Sequence, residues 1–551
     1  MIIIFNEGRM CHMLKLTRKK LLLSLCLLIG LTSILAGCTS EKQDNAPSAG
    51  IESSEKVITM SWPRDIGPMN PHLYNPSQMF AQSMIFESLV AYKDGKIEPN
   101  LAESWTISPD GKVYTFKIRP NVQYSDGTPF TAKNVKRNFD AFMNNKNMHT
   151  WLGVVNMIDK VEAVDDLTFK LTLKEAYYPT LYDLAVVRPV RFLADSGFPD
   201  SGDTSKEIKK PIGTGPWVLS EYKKDEYAVF TPNNNYWGDK PKVDKIVVKV
   251  IPDGETRALA FEKGDLNLIY GEGVISFDAY QQLEQTGDYV TKLSEPIAAR
   301  DLVLNTMNPK LTDIRVRQAL HHGFNKQAMV EGVTLGMEEK ADNILPPNVP
   351  YANVPPMLVE YDVEQAKALL DEAGWKLPAG KTVREKDGQT LELELMYDKA
   401  DLVQKSFAET LQAEWANIGV KLDITGVELT VFIQRRKANE FDMNIYSTFG
   451  APYDPHSFMT AVIQNGYGVS DTLVALPMKA EIDKQVKEGM STTDEQLRTK
   501  LFGSVLTTLQ DQSSIIPLSY VKKIAVYQKD VTEFNFSSNR DEHTFYGINT
   551  K

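Results

Sequence analysis

The chain has 551 residues, of which 42% are hydrophobic and 24% are charged, and its formal net charge is −11. This composition is typical of a soluble globular protein and excludes a fibrous or wholly disordered chain. An acidic balance disfavours nucleic acid and anionic membrane surfaces as partners and is compatible with a cationic ligand. About 495 residues follow Lys56, which is too many for one hydrophobic core and predicts two or more domains.

The N-terminal segment has the pattern of a bacterial secretion signal. Met13 is the preferred start, because a compact basic stretch then precedes an apolar run that is too short to span a bilayer. That run ends in Leu-Ala-Gly-Cys, which resembles the lipobox of bacterial lipoproteins. The resemblance implies a signal peptide over 1–37, a lipid anchor at Cys38 and a flexible tether over 38–56. The alternative is a simple secretory signal with a chance cysteine.

Cysteine chemistry is excluded from the mature body. The other two cysteines, Cys11 and Cys26, lie upstream of Cys38, so no disulfide framework and no cysteine metal site remains. The chain also contains no Gly-x-Ser-x-Gly, no phosphate-binding loop ending in Gly-Lys-Ser/Thr and no His-Glu-x-x-His. We therefore expect a protein that is not an enzyme.

Strand and helix patterns alternate along the body, which predicts a mixed α/β fold. The predicted strands are 57–62, 113–118, 167–173 and 245–251. The predicted helices are 131–144, 316–324, 364–373, 402–417 and 493–512. Strands over 391–396 and 420–424 flank the fourth helix and predict a βαβ unit. Gly374 and Gly419 suit helix C-caps, and Thr493 with Gln496 has the spacing of a capping box.

Residues 186–192 place two arginines in an apolar run that predicts a buried strand or a cleft wall. An arginine is rarely buried without a partner, so Arg188 requires an anion from the protein or from a ligand. A guanidinium binds a carboxylate through two parallel hydrogen bonds. The alternatives for Arg188 are a buried ion pair, or a stem on apolar surface with its charge in water. Arg191 is interpreted as structural.

Histidines are few, and no two of them have the spacing of a zinc-binding helix. His321 and His322 are adjacent, which predicts a solvated pair on a helix. His149 and His456 lie in aromatic, turn-rich segments of the kind that carry binding sites. Each of these two is a weak metal-ligand candidate, with a structural role as the alternative.

Seven motifs spread over the body resemble the peptide/nickel (family 5) extracytoplasmic solute-binding proteins. They are Leu-Ala-Glu-Ser-Trp at 101–105, Asp-Gly-Lys-Val-Tyr-Thr-Phe at 110–116, Tyr-Ser-Asp-Gly-Thr-Pro-Phe at 124–130, Gly-Thr-Gly-Pro-Trp at 213–217, Asn-Asn-Asn-Tyr-Trp-Gly at 233–238, Ile-Arg-Val-Arg-Gln-Ala-Leu at 314–320 and Glu-Ala-Gly-Trp at 372–375. The resemblance implies the large family 5 variant of the type II periplasmic-binding-protein fold. Two α/β lobes would hold a ligand between them and deliver it to the permease and ATPase of an ABC importer.

The same resemblance implies where the lobes begin and end. Lobe one would comprise 57–297 and 522–551, and lobe two would comprise 298–521. The chain would cross between the lobes near 298–304 and return near 517–522. A monomer is expected, with membrane contact through the lipid anchor alone and no contact with nucleic acid.

Further segments resemble the nickel-binding branch of the family. They are Gly-Pro-Met-Asn-Pro-His-Leu-Tyr at 67–74, Gln-Met-Phe-Ala-Gln-Ser-Met at 78–84, His-Thr-Trp-Leu at 149–152, Leu-Lys-Glu-Ala-Tyr-Tyr-Pro at 173–179, Arg-Pro at 188–189 and Gly-Ala-Pro-Tyr-Asp-Pro-His at 450–456. This implies nickel(II) as transported ligand, bound as a chelate with small carboxylated molecules such as histidine, and no permanent cofactor. The ligand-binding residues so implied are Tyr74, Met79, His149, Trp151, Arg188, Phe449, Tyr453 and Tyr467.

Four positions depart from the patterns of relatives. Pro452 stands where peptide-binding relatives place an aspartate for the peptide amino terminus, so a peptide loses its main anchor. Phe449 replaces a tryptophan of the best-known nickel proteins, and Met148 replaces an arginine. Tyr467 replaces their histidine ligand to nickel, and a phenol is a poorer nickel ligand than an imidazole. The chelator would then supply most metal donors, with Arg188 gripping its carboxylate. The alternatives are an oligopeptide receptor or a receptor for another metal–metallophore complex.

Overall fold

The computed structural model describes residues 55–73, 79–465, 469–543 and 545–551. The predicted signal peptide, the predicted anchor at Cys38 and most of the predicted tether lie outside these ranges, as do Tyr74 and Tyr467. The interpretations that concern them stay predictions. Glu55–Lys551 forms one unit by its internal contacts.

Most strands of the described residues are short. In chain order they are β1 (Val57–Trp62), β2 (Val90–Lys93), β3 (Lys96–Pro99), β4 (Ala102–Ile107), β5 (Val113–Ile118), β6 (Ile158–Asp165), β7 (Thr168–Leu173), β8 (Trp217–Lys223), β9 (Tyr227–Pro232), β10 (Lys245–Val250), β11 (Leu268–Gly271), β12 (Val290–Leu293), β13 (Ala298–Leu304), β14 (Glu339–Lys340), β15 (Glu385–Lys386), β16 (Gln389–Thr390), β17 (Glu392–Asp398), β18 (Lys421–Val427), β19 (Met443–Ser447), β20 (Ile515–Val521), β21 (Ile524–Tyr527), β22 (Val531–Thr532) and β23 (Asn549–Thr550).

The helices lie between these strands. They are α1 (Met79–Ile85), α2 (Ala132–Asn144), α3 (Gly153–Met157), α4 (Thr180–Ala185), α5 (Gly254–Glu262), α6 (Phe277–Thr286), α7 (Ile314–His322), α8 (Lys326–Thr334), α9 (Val363–Glu372), α10 (Leu402–Ala416), α11 (Leu429–Lys437), α12 (His456–Ile463), α13 (Lys479–Ser491) and α14 (Glu495–Asp511). In the described part of the chain, no helix combines the length and the apolar character that crossing a membrane requires.

Two large sheets organise the molecule. The first has the strand order β12-β21-β11-β1-β10-β9-β8, with β1 parallel to both β10 and β11. The second has the order β14-β20-β13-β19-β17-β18. The chain passes from the first sheet to the second between β12 and β13, and it returns between β20 and β21. The passages lie at 294–297 and 522–523 and adjoin the segments expected to cross between lobes at 298–304 and 517–522. The lobe boundaries stay a prediction.

The predicted βαβ unit is confirmed in the second sheet. Strands β17 and β18 run parallel, and α10 connects them. Trp415 of α10 is fully buried, and its indole N–H donates to the Leu320 carbonyl at 2.9 Å. Gly419 ends the connection at a φ of +81°, a conformation that glycine adopts without strain.

A third, antiparallel sheet has the order β4-β5-β7-β6, and α2 packs against it. Apolar residues recur with the helical period in α2, and Phe139 and Phe142 are buried on that face. The ring centroids of Phe139 and Phe169 of β7 are 5.0 Å apart. As predicted, Thr131 is the N-cap of α2, and its N–H donates to Asn134 Oδ1 at 3.0 Å. The core of this sheet continues into the helices α12 to α14, where Phe502 is fully buried.

Two local predictions are wrong. The last long helix is capped by Asp494, whose Oδ1 accepts the N–H of Gln496 at 2.9 Å, and the Thr493 capping box does not form. His321 is buried at 3% exposure rather than solvated, because α7 turns that face towards the hydrophobic core, where the ring stacks near Phe324.

Glu87, just before β2, is a buried carboxyl that predicts a pH dependence of stability. Burial raises its pKa to about 7, although Trp237 Nε1 donates a hydrogen bond to it at 2.9 Å. Between about pH 4.5 and 7 the carboxyl ionises in the unfolded chain but stays protonated in the folded protein. The free energy of unfolding therefore falls as pH rises through this range. We expect Glu87→Gln to gain about 3 kcal/mol of unfolding free energy relative to wild type between pH 4.5 and 8.

Urea unfolding at the two pH values measures this difference. Glu98→Gln, at an exposed position of β3, is the matched control and should show no such change. Equal pH dependence in wild type and Glu87→Gln would show that Glu87 is not the titrating group.

Candidate functional site

A cavity of about 1670 Å³ lies where strand ends of the two large sheets approach each other. Tyr270 of β11 lines it from the first sheet, and Asp398 of β17 and Tyr446 of β19 line it from the second. Ligands in open α/β sheets characteristically bind beyond the carboxyl ends of strands, as at these three positions. The beginnings of α1, α5, α6 and α10 also line it, as do residues of α11 and α12 and residues 540–542.

Arg188 lies on the cavity wall in an irregular segment after α4. The strand alternative for 186–192 is therefore wrong, and the cleft-wall alternative agrees with the structure. Arg188 is only 4% exposed, and its guanidinium carbon lies 5.7 Å from the centre of the Trp151 ring. Cation–π attraction at this distance contributes to holding the charge beside the ring.

Arg191, three residues on, has a structural role. Its guanidinium donates to the carbonyls of Val186 at 3.0 Å and Ala185 at 3.1 Å, and it lies 3.6 Å from the Glu542 carboxylate. These contacts shape the backbone that carries Arg188. The interpretation of Arg191 from the sequence agrees with this arrangement.

The loop after β19 brings Phe449 and Tyr453 into the cavity. Gly450 adopts a φ of +74°, and a Cβ there would lie 2.0 Å from the Ile297 carbonyl oxygen, so only glycine fits. The Gly450 N–H donates to Asp454 Oδ2 at 2.5 Å, which closes the loop. The Tyr453 ring lies 6.3 Å from the Trp151 ring between centroids, so aromatic groups from distant parts of the chain meet beside Arg188.

Arg540 and Glu272 are cavity residues that the sequence did not single out. Arg540 donates to the carbonyls of Thr448 at 2.8 Å and Phe449 at 3.3 Å, and to the Glu272 carboxylate at 2.8 Å. Burial alone would raise the pKa of Glu272, but the charges of Arg540 and Arg300 hold it below its usual value. The ion pair joins residues 268 positions apart, and no local sequence pattern reports such a contact.

The structure brings five of the predicted ligand-binding residues to one cavity: Met79, Trp151, Arg188, Phe449 and Tyr453. The two candidate histidines are held by the protein instead. His149 Nε2 lies 2.9 Å from the His72 carbonyl oxygen, and His456 Nε2 lies 3.0 Å from Asp183 Oδ1. Within the described ranges, no three His, Cys, Asp or Glu side chains form a metal-binding group. The cavity therefore offers a cation for a carboxylate and aromatic surfaces for a flat ligand.

Residues 96–468 match the model of the bacterial extracellular solute-binding proteins, family 5. The chain belongs to this family. The family 5 fold, a mixed α/β structure of the two-lobe type II class, was expected from the sequence motifs and is confirmed.

Relatives of this family 5 protein are named for different ligands. It is 42% identical to the nickel-binding periplasmic protein of Escherichia coli over 89% of this chain and 94% of the relative. It is 27% identical to the dipeptide-binding protein of the same organism over 84% of this chain and 89% of the relative. The crystal structure of NikA from Brucella suis in complex with Fe(III)-EDTA superposes with a TM-score of 0.87 at 42% identity, covering 90% of this chain and all of that chain.

Proposed function

We propose that this solute-binding protein captures nickel(II) as a chelate with small carboxylated molecules, such as histidine, for an ABC importer. The observation that carries the proposal is the buried Arg188 on the cavity wall beside Trp151 and Tyr453. A guanidinium so placed can bind a chelator carboxylate, while the two rings pack against the chelator. The 42% identity to a nickel-binding periplasmic protein supports the same ligand class.

An oligopeptide is the second candidate, because dipeptide-binding proteins are among the relatives and the cavity is large. Pro452, in the loop between Phe449 and Tyr453, argues against it. A proline has no charge to pair with a peptide amino terminus, and the family's peptide receptors use an aspartate there. A complex of another metal with a larger metallophore is the remaining alternative.

Capture would proceed by closure of the two lobes about the passages beside β13 and β20. Arg188 from lobe one and Tyr453 from lobe two would contact the same chelate, so the ligand would stabilise the closed state by its differential affinity. Tyr467 would not replace the missing imidazole, so the chelator would supply most metal donors. In this proposal the protein performs no catalysis.

The remaining elements of the proposal concern delivery. Lipidated Cys38 and the tether over 38–56 would hold a monomeric receptor at the extracytoplasmic face of the membrane, within reach of the permease. Cys38→Ser in the full-length chain should then release the protein from the membrane fraction into the soluble extracytoplasmic fraction. Persistence of the variant in the membrane fraction would contradict the anchor.

Calorimetric titration of the purified protein tests the ligand. We expect saturable binding of nickel(II) in the presence of excess L-histidine, and much weaker binding of nickel(II) alone, because the described residues provide no metal cluster. Heat from a mixture of short peptides, without a response to the nickel–histidine mixture, would favour the oligopeptide receptor instead. Folding is checked in each sample by circular dichroism.

A further inference from the structure

We propose that Asp541 selects the chelator: its carboxylate accepts a hydrogen bond from a metal-bound amino or imidazole N–H, while Arg188 binds a carboxylate of the same chelate. The inference rests on the proposed function and narrows its ligand to amino-acid chelates that keep N–H donors. Chelators whose metal-bound nitrogens are tertiary would be disfavoured.

Asp541 is held firmly at the cavity wall. Its own N–H donates to Asn539 Oδ1 at 3.1 Å, and it lines the cavity between two anchored neighbours. The preceding residue, Arg540, binds the Thr448 carbonyl with its side chain, and its N–H donates to the Ala451 carbonyl at 2.9 Å. The turn fixes the Asp541 backbone, and the hydrogen bond from the Tyr453 hydroxyl orients its carboxylate before ligand arrives, which reduces the entropic cost of binding.

Asp541 and Arg188 carry opposite charges, and both affect the pKa of the same side chain. Burial raises the pKa of the Tyr453 hydroxyl well above its usual value, the Asp541 charge raises that pKa further, and the Arg188 charge lowers it. The geometry places both groups at the corner of the cavity where Trp151 packs. The Arg188 guanidinium lies 5.7 Å from the centre of the Trp151 ring, which is 6.3 Å from the Tyr453 ring. Asp541 lies between Arg540, which donates to the Phe449 carbonyl, and Glu542, which is 3.6 Å from Arg191. A chelate bound by Arg188 would come within reach of Asp541.

Other carboxylates around this corner are engaged by the protein. Glu272 pairs with Arg540 at 2.8 Å. Glu542 lies 3.6 Å from the Arg191 guanidinium and accepts the Asn539 amide at 3.1 Å. Asp541 accepts a hydrogen bond from the Tyr453 hydroxyl. Because an ionised carboxylate can accept several hydrogen bonds, its remaining acceptor positions can serve a ligand.

Chelators fall into two classes according to how they would interact with this pair of charged side chains. A metal-bound amino acid has a carboxylate for Arg188 and keeps N–H groups that a carboxylate can accept. In EDTA the metal-bound nitrogens are tertiary and have no N–H, and its nickel complex is a dianion that Asp541 would repel. Charge-assisted hydrogen bonds favour the first class, and like-charge juxtaposition disfavours the second.

Calorimetry with two nickel chelates tests this selection. Wild type, Asp541→Asn and Asp159→Asn are each titrated with nickel(II) in excess L-histidine and with preformed nickel–EDTA. Asp159 is an exposed residue of β6 and is not among those lining the cavity, so its variant controls for the loss of one negative charge elsewhere on the protein. We expect Asp541→Asn to weaken nickel–histidine binding about tenfold and to strengthen nickel–EDTA binding about threefold or more, with both affinities within about twofold in Asp159→Asn.

The outcomes separate this inference from the proposed function. An unchanged ratio of the two affinities in Asp541→Asn, or the same shift in Asp159→Asn, overturns the role of Asp541 while nickel–histidine binding by wild type still stands. Failure of folded wild type to bind either nickel chelate overturns the proposed function and the inference with it. Shifts of opposite sign for the two chelates, confined to Asp541→Asn, establish the selection.

Discussion

Replacing Arg188 by alanine is expected to weaken nickel–histidine binding by about 3 kcal/mol, roughly a hundredfold. The side chain is almost fully buried beside Trp151, so its bond to a carboxylate forms in a site largely shielded from water. A charged hydrogen bond in such a site contributes more than one at the surface, and its loss leaves the chelator carboxylate buried without a donor. Isothermal titration with nickel(II) in excess L-histidine measures the change.

Arg119→Ala is the matched control for Arg188→Ala. Its guanidinium carbon also lies over a tryptophan, 4.5 Å from the centre of the Trp237 ring, but the residue is not among those lining the cavity. Its removal should leave the affinity within about twofold. Arg188→Lys should restore only part of the affinity, because an ammonium cannot make the paired contact. Wild-type affinity in Arg188→Ala would show that Arg188 is structural.

Local patterns in the sequence predicted much of the fold. Phe139 and Phe142 follow the helical period, and their burial in α2 requires no knowledge of distant residues. Gly374 and Gly419 were expected as helix ends, and both adopt positive φ values. The prediction for the N-cap of α14 was wrong because Thr493 and Asp494 are both good capping residues, and the backbone geometry decides between them.

Part of the site could be predicted from the sequence. The rest depends on contacts between residues that are far apart in the chain. The need of Arg188 for an anion follows from its apolar neighbours, and the family motifs pointed to Trp151 and Tyr453. Arg540 and Asp541 carried no such signal, because their importance comes from a turn that packs against a loop about 90 residues earlier in the chain. His321 was misjudged because its burial depends on how α7 packs in the second sheet's core.

The second large effect is expected at Asp183 of α4. Its Oδ1 lies 3.0 Å from His456 Nε2, and its Oδ2 accepts the Val154 N–H at 2.8 Å. The Asp183 and His456 side chains are 1% and 2% exposed. Asp183→Ala removes an acceptor from two buried donors, and we expect it to lower the free energy of unfolding by about 3 to 5 kcal/mol. Urea unfolding followed by tryptophan fluorescence measures the loss.

Asp140→Ala provides the comparison, because Asp140 forms an ion pair of 2.6 Å with Lys136 on the exposed face of α2. Solvent screens that pair, so its loss should cost less than about 0.5 kcal/mol. Equal losses in the two variants would show that burial does not strengthen the Asp183 contact. A double variant, Asp183→Ala with His456→Ala, should recover part of the cost, because fewer buried polar groups are then left without partners.

Loss of the contact between Asp183 and His456 should affect ligand binding as well as stability, because of where the two residues lie. Asp183 lies five residues before Arg188, and His456 lies three residues after Tyr453, so one buried contact connects the two segments that bring these side chains to the cavity. Asp183→Ala should therefore weaken nickel–histidine binding under conditions where the variant remains folded, whereas Asp140→Ala should not. Unchanged affinity in folded Asp183→Ala would show that the loop carrying Tyr453 is positioned by Arg540 and Asp454 alone.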